Sequence, residues 1–292
     1  MPKKESPIKK QQIERERSLT VTKRDDMIQK ARFTLSVEEQ RSVLFVISKI
    51  KPTDTELSEY IFDIKDFYAV CGLGNESYTK LKQTLVGLKS KCWWITLADG
   101  ETESAVSWFN VVRTNKRSGK VTIKLHEDMM PYLIDLKKQS ELGAYFTDYE
   151  LQYILPMKSQ YGARLYELLK SYQKNNKQWY FDVDDLKKKL DCANSYANYA
   201  DFSRYVLVPA ITDINKYSDI IIEVEPQKTG KKFTHITFFM DVKTNGEHLA
   251  TEQAIKKELD GQIDFDELQK EYSKNSESKF WKERYEVHKQ GG

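Results

Sequence analysis

Apolar and polar positions follow one order twice along this chain. YIFDIKDF at 60–67 and WYFDVDDL at 179–186 share the pattern, about 119 residues apart. In each copy three large apolar residues, Tyr60, Ile61 and Phe62 or Trp179, Tyr180 and Phe181, predict a short strand. Asp63 or Asp182 then stands where a carboxylate can accept from the first free amides of a helix. Behind each cap, Ile64, Phe67 and Val70, or Val183, Leu186 and Leu190, fall at helical spacing.

The flanks repeat as well. Upstream lie amphipathic stretches at 35–50 and 160–173, with apolar stripes at Leu44, Ile47 and Ile50, and at Tyr161, Leu165, Leu168 and Tyr172. Downstream come helical patterns at 78–91 and 199–215. Two β-rich runs close each unit: CWWITL (92–97) with AVSWFNVV (105–112), and IIIEVE (220–225) with FTHITFFM (233–240). PQKTGKK between the last pair predicts a hairpin tip.

Helix, strand, helix, helix, strand, turn, strand is the order of a helix-turn-helix that carries a β-hairpin wing. The expected fold is α+β, with two tandem winged-helix domains made by duplication. The expected divisions are a basic N-terminal arm (1–18), a first winged helix (19–150), a second (151–246), and a C-terminal tail (247–292).

Composition agrees with two small cores: the chain has 292 residues, 39% hydrophobic and 12% aromatic. No apolar run approaches the ~18 to 20 residues of a membrane span, and no apolar stretch follows the charged N-terminus, so a cytoplasmic protein without a membrane partner is expected. Cys71, Cys92 and Cys192 are isolated and read as reduced core residues. The net charge of +3 is uninformative. Its distribution is less so, at about +5 over residues 1–32 and about −3 over 247–292, with basic clusters in turns between.

A helix held on a rigid scaffold can enter the major groove, where base edges distinguish all four pairs. In the 199–215 stretch, Phe202, Val206, Ala210 and Ile214 form an inward row, which turns Asn198, Asp201, Arg204 and Tyr205 outward. Arg can fork to guanine, Asn to adenine, and Asp can accept from cytosine. Lys228, Lys231 and Lys232 crowd around Gly230, and Arg113, Lys116, Arg117 and Lys120 around Gly119. Cations at such tips can reach phosphates and add affinity without sequence preference.

The stretches at 20–50 and at 201–215 (DFSRYVLVPAITDIN) resemble the Initiator RepB family, the replication initiators of theta-replicating plasmids; the resemblance covers roughly residues 18–245. It implies two winged helices that bind double-stranded DNA at directly repeated origin sites, the iterons. It further implies monomers that open the origin and help recruit the host initiator ATPase and replicative helicase. Homodimers, joined through the first winged helix, would bind an operator or pair origins and restrain replication. By this resemblance Asn198, Arg204 and their neighbours match the principal reading helix, and Lys80, Lys82 and Lys89 the corresponding helix of the first domain. Ser203 stands where the family pattern suggests a basic residue, which weakens one contact to phosphate. The segment 262–290 has no counterpart in the shared core and reads as a poorly ordered appendix, with a small helical hook at Ile263, Phe265 and Leu268 as the alternative.

Enzymatic readings find less support. A rolling-circle nicking initiator needs a tyrosine beside paired histidines, but His126, His235, His248 and His288 are dispersed and no His-x-His occurs. No GxxxxGK[ST] phosphate loop is present. The adjacent acids Asp25 and Asp26, or Asp184 and Asp185, would diverge on a helix, which is poor geometry for two-metal chemistry. No catalysis, metal or cofactor is expected. The remaining alternative is a winged-helix transcription regulator without a replication role.

Overall fold

The computed structural model describes residues 7–51, 53–73, 78–97, 99–173 and 176–260. In chain order the first half holds α1 (Pro7–Arg17), β1 (Thr20–Arg24), α2 (Asp25–Lys30), α3 (Val37–Ile47), β2 (Tyr60–Asp63), α4 (Ile64–Cys71), α5 (Tyr78–Ser90), β3 (Cys92–Thr96), β4 (Glu103–Ser107), β5 (Phe109–Asn115) and β6 (Lys120–Leu125). The short helices α6 (Met130–Leu133) and α7 (Leu136–Glu141) lead to β7 (Phe146–Glu150). The second half holds α8 (Gly162–Gln173), β8 (Gln178–Asp182), α9 (Val183–Lys189), α10 (Tyr199–Phe202), α11 (Val208–Tyr217), β9 (Ile220–Thr229), β10 (Lys232–Val242) and α12 (Asn245–Asp260).

The sequence repeat is a repeat of sheet topology. In the first module β2 pairs with β6, which pairs with β5; in the second, β8 pairs with β10, which pairs with β9. Equivalent residues meet equivalent partners, Phe62 opposite Val121 and Phe181 opposite Ile236. Asp63 accepts from the Lys65 amide at 3.0 Å, and Asp182 accepts from the Asp184 amide at 2.8 Å, so both caps form. Each module is therefore a winged helix: α3, α4 and α5 with the β5–β6 wing, then α8, α9 and the α10–α11 helix with the β9–β10 wing.

Local chemistry sets the element ends. Ser36 and Glu39 form a capping box on α3, and Gly72 closes α4 with φ of 60°, a conformation that costs glycine nothing. The Tyr68 hydroxyl accepts from the Leu81 amide at 2.7 Å, satisfying a free donor of the first turn of α5. Phe45, Phe62 and Phe67 pack in a triangle with ring centroids 5.1 to 5.4 Å apart, tying α3, β2 and α4 into one core.

The first wing differs from the expectation. AVSWFNVV is not one strand paired with CWWITL. It bends at Trp108, because Trp108 and Phe109 are both buried and consecutive residues of a flat strand would face opposite ways. β3 pairs with β4 in a separate two-stranded sheet, and the wing is instead β5 with β6, whose alternating Val121, Ile123 and Leu125 are buried. Cys71 and Cys192 are buried, but Cys92 at the start of β3 is exposed and so departs from the core reading.

The modules are joined by more than a linker. β1 pairs antiparallel with β7. Lys23 of β1 is ion-paired with Glu167 of α8, which also accepts from the Tyr149 hydroxyl of β7; all three are buried. The Arg41 guanidinium donates to the carbonyls of Gly72 (2.8 Å) and Met157 (3.1 Å), and Gln40 to that of Gln160 (2.6 Å). The arm and the start of the tail also pack. The Arg17 guanidinium donates to the Ala69 carbonyl at 2.7 Å, and α12 lies on α11, its Glu258 accepting from the Tyr217 hydroxyl at 3.1 Å. Asp260 ends α12 within 3.4 Å of the Lys10 ammonium, so α12 links the second module to α1. The segment 262–290, with the alternative hook at Ile263, Phe265 and Leu268, lies outside the described residues. No described helix is long and apolar enough to cross a membrane.

Candidate nucleic-acid interface

α10 and α11 are two parts of one helix, joined by a π turn at Ser203–Leu207. Pro209 gives the reason: its ring would strike the carbonyl four residues back, at Tyr205, and it has no N–H to offer, so the helix widens there. Phe202, Val206, Ala210 and Ile214 are fully buried, as the periodicity predicts. Asn215 fixes the far end by a pair of hydrogen bonds with the Ile222 backbone, 2.9 and 2.7 Å, which tether the helix to β9. Asp213 accepts from the amides of Lys158 (2.8 Å) and Ser159 (2.6 Å) at the entry to α8.

Arg204, Tyr205, Val208 and Thr212 occupy the exposed side of this helix. The Tyr205 ring stacks on Tyr196, with centroids 6.2 Å apart, and the Arg204 guanidinium carbon lies 5.3 Å from the Tyr205 ring. Ser203 is half-buried. Asn198 and Asp201 are exposed, but their groups are already engaged with each other. Asn198 is the N-cap of α10, its side-chain oxygen accepting from the Asp201 amide at 2.8 Å and its amide donating to the Asp201 carboxylate at 2.7 Å. The outward face expected from the sequence therefore splits into a capping pair and a pair with open polar and aromatic surface.

The second wing lies beside the start of this helix. Phe233 of β10 stacks on Tyr199 of α10 at 4.2 Å, and the Lys228 ammonium lies 4.5 Å from the Phe233 ring centroid. Gly230 turns the tip with φ of 64°, Lys231 is exposed, and Lys232 is paired with Asp184 of α9 at 3.1 Å. The structure thus brings Lys228, Lys231 and Lys232 to one tip held against the helix by an aromatic pair. Tyr199 and Phe233 do the holding; the sequence pattern places one in a helix and the other in a strand but gives no sign that they meet.

In the first module Lys80, Lys82 and Lys89 are exposed on α5. Lys82 and Lys89, two turns apart, share a face with exposed Val86 between them. The β5–β6 tip carries exposed Arg113, Lys116 and Arg117 and half-buried Lys120, with Gly119 at φ of 64°. Arg113 is paired with Glu59 at 2.7 Å. No group of three or more His, Cys, Asp or Glu able to hold a metal occurs among the described residues.

Comparison with known proteins agrees with this architecture. The family model described as "Initiator Replication protein, WH1" matches residues 20–170, and that described as "Initiator Rep protein, WH2" matches residues 182–240. A replication initiation protein of Escherichia coli is 28% identical over 139 residues, which are 46% of this chain and 40% of that protein. The chain thus matches less than half the length of that relative. Among solved structures, that of the Pi initiator protein in complex with iteron DNA superposes with a TM-score of 0.60 at 19% identity, covering 78% of this chain and 99% of that one. With more than half its length matched by these models and both winged helices present in the matched order, the chain belongs to the initiator replication protein family.

Proposed function

We propose that this protein initiates plasmid replication by binding directly repeated iterons at an origin, reading bases with the α10–α11 helix and, in the first module, with α5. The observation that carries this reading is the open face of Arg204 and Tyr205 beside a lysine-bearing wing, on a module joined by a buried ion pair to a second module of like topology. Two reading helices held in a fixed relation can address two successive major-groove sites. Family membership and the likeness to the Pi initiator support the assignment. The work is done by binding rather than by bond cleavage, and a protein with this task acts in the cytoplasm on the plasmid itself.

On this reading a monomer binds an iteron, helps the origin open and helps bring in the host initiator ATPase and the replicative helicase. Homodimers are the restraining form, repressing at an operator or pairing origins. The β3–β4 sheet supplies a surface for them, since β4 is an edge strand and Trp94 and Leu97 beside it are exposed.

Footprinting the full chain on DNA flanking its gene tests the assignment. Protection of several direct repeats, each about two helical turns long, is expected. A single protected palindrome would instead identify a transcription regulator.

A further inference from the structure

The reading face of each module carries one side chain that neither charge nor folding explains. In the second module Val208 is 56% exposed, although Val206 and Leu207 just before it are buried. One turn on, the Thr212 hydroxyl donates back to the Val208 carbonyl at 2.8 Å, which uses up its polar group on the helix itself. Val208 and Thr212 thus make a small apolar spot beside Arg204 and Tyr205.

The first module has the same feature. Leu81, Leu85 and Leu88 are the buried row of α5, as Phe202, Val206 and Ala210 are of the second helix. Leu207 is buried too, and Phe202 to Leu207 is one residue longer than Leu81 to Leu85, the π turn at Ser203–Leu207 holding the extra residue; Leu207 to Ala210 then matches Leu85 to Leu88. Counting back from Leu88 and Ala210, Val86 and Val208 hold equivalent places, and Val86 is 51% exposed, flanked on its face by Lys82 and Lys89. A β-branched residue is a poor choice for an exposed helical position on propensity alone. Two helices of otherwise different surface have it at the same place.

The major groove offers one apolar group at a base edge, the C5-methyl of thymine. We propose that Val208 and Val86 are specificity-determining residues, each recognising a thymine by contact with its C5-methyl, one thymine in the DNA bound by each module. The inference rests on the assignment of α10–α11 and α5 as reading helices. It adds what the polar residues there are unable to supply, discrimination of thymine by its methyl rather than by hydrogen bonds.

The test uses the full chain and a duplex carrying one footprinted repeat, with each thymine replaced singly by deoxyuridine, which removes only the methyl. Uracil at one position under each module should weaken binding about four-fold, the worth of one buried methyl. Val208→Ala should bind the thymine duplex about as weakly as the native chain binds the uracil duplex, and should be indifferent to uracil at that position while remaining sensitive at the other. Val86→Ala should show the converse. Both variants should melt no lower than the native chain, since the removed groups face solvent. Indifference of the native chain to uracil at every position would overturn the proposal while leaving the initiator assignment standing, as would sensitivity that both variants retain. Failure to bind any flanking fragment would overturn the assignment and the proposal together.

Discussion

Lys23 of the first module and Glu167 of the second are ion-paired at a site where each is no more than 3% exposed. Burial pushes the Lys23 ammonium below its usual pKa, with Glu167 opposing, so the pair holds a charge that would be costly alone. Glu167→Ala should therefore destabilise the protein by ~3 to 5 kcal/mol, because an uncompensated ammonium is left inside. Replacing the group together, with Lys23→Met, Glu167→Leu and Tyr149→Phe, should recover most of the loss, since apolar replacements of buried ion pairs are often neutral. Urea unfolding of the two forms is the measurement. Equal midpoints for Glu167→Ala and the native chain would show that the pair does not hold the modules together.

The second wing lends itself to a charge experiment in both directions. Replacing Lys228, Lys231 and Lys232 with Ala should weaken binding to iteron and random DNA alike, and lower the slope of log K against log salt by ~0.9 for each phosphate no longer neutralised. Asp184→Asn should act oppositely, because Lys232 is now paired with Asp184 and would be released towards phosphate. The gain is expected to be small, about that of an exposed ion pair at ~0.2 to 1 kcal/mol. Titrations across salt concentrations read both; an unchanged slope in the triple variant would place the wing away from the DNA backbone.

What could be read from the sequence was whatever is encoded over a few residues. The caps Asp63 and Asp182 and the inward row Phe202 to Ile214 follow from local spacing, and each forms; the expected one-sided stripe of α3 does not, because the helix is buried on all sides from Glu39 to Ile47 and ends before the half-buried Ile50. What escaped needed partners distant in sequence. β1 resembles a solvated segment because Lys23 is charged, and only Glu167 and Tyr149 from elsewhere make its inward side acceptable. β6 opens on Lys120 and carries Lys124 between its buried Ile123 and Leu125, and next to the basic cluster around Gly119 these charges hide its alternation. The Asn198–Asp201 pair was invisible because a residue on an exposed face can still have its polar groups taken by a neighbour. The π turn had one sign in the sequence, the proline at 209 after three consecutive apolar residues.

Assembly through the first module can be tested at the edge of β4. Ala105 is exposed on that strand, and a lysine on an edge discourages pairing with another chain. Ala105→Lys should shift the monomer–dimer equilibrium towards monomer without lowering the unfolding free energy by more than ~0.5 kcal/mol, as for an ordinary surface change. Sedimentation velocity over a range of concentrations, with and without a single-iteron duplex, gives the answer. Dimers of unaltered strength in this variant would move the self-association surface away from β4, and dimers that persist on a single iteron would rule out exchange to a monomeric binding form.

Exposure and burial separate at two nearby positions of one helix. Arg204 is exposed above the Tyr205 ring, whereas Phe202 is fully buried with the Lys187 ammonium 5.3 Å from its ring centroid. If the Arg204 guanidinium forks to a guanine, Arg204→Ala should cost ~1 to 3 kcal/mol on the cognate repeat, relax the preference at one base position and leave random DNA bound nearly as before. Its melting temperature should not move. Phe202→Ala should do the reverse, losing ~3 to 5 kcal/mol of folding stability through the cavity it leaves, and with it all forms of binding. Selection of sites from a randomised duplex, run with the native chain and with the Arg204→Ala variant, then distinguishes the roles. An identical selected motif would show that Arg204 reads no base, and would shift the reading to Tyr205 beside it and to the lysines of α5.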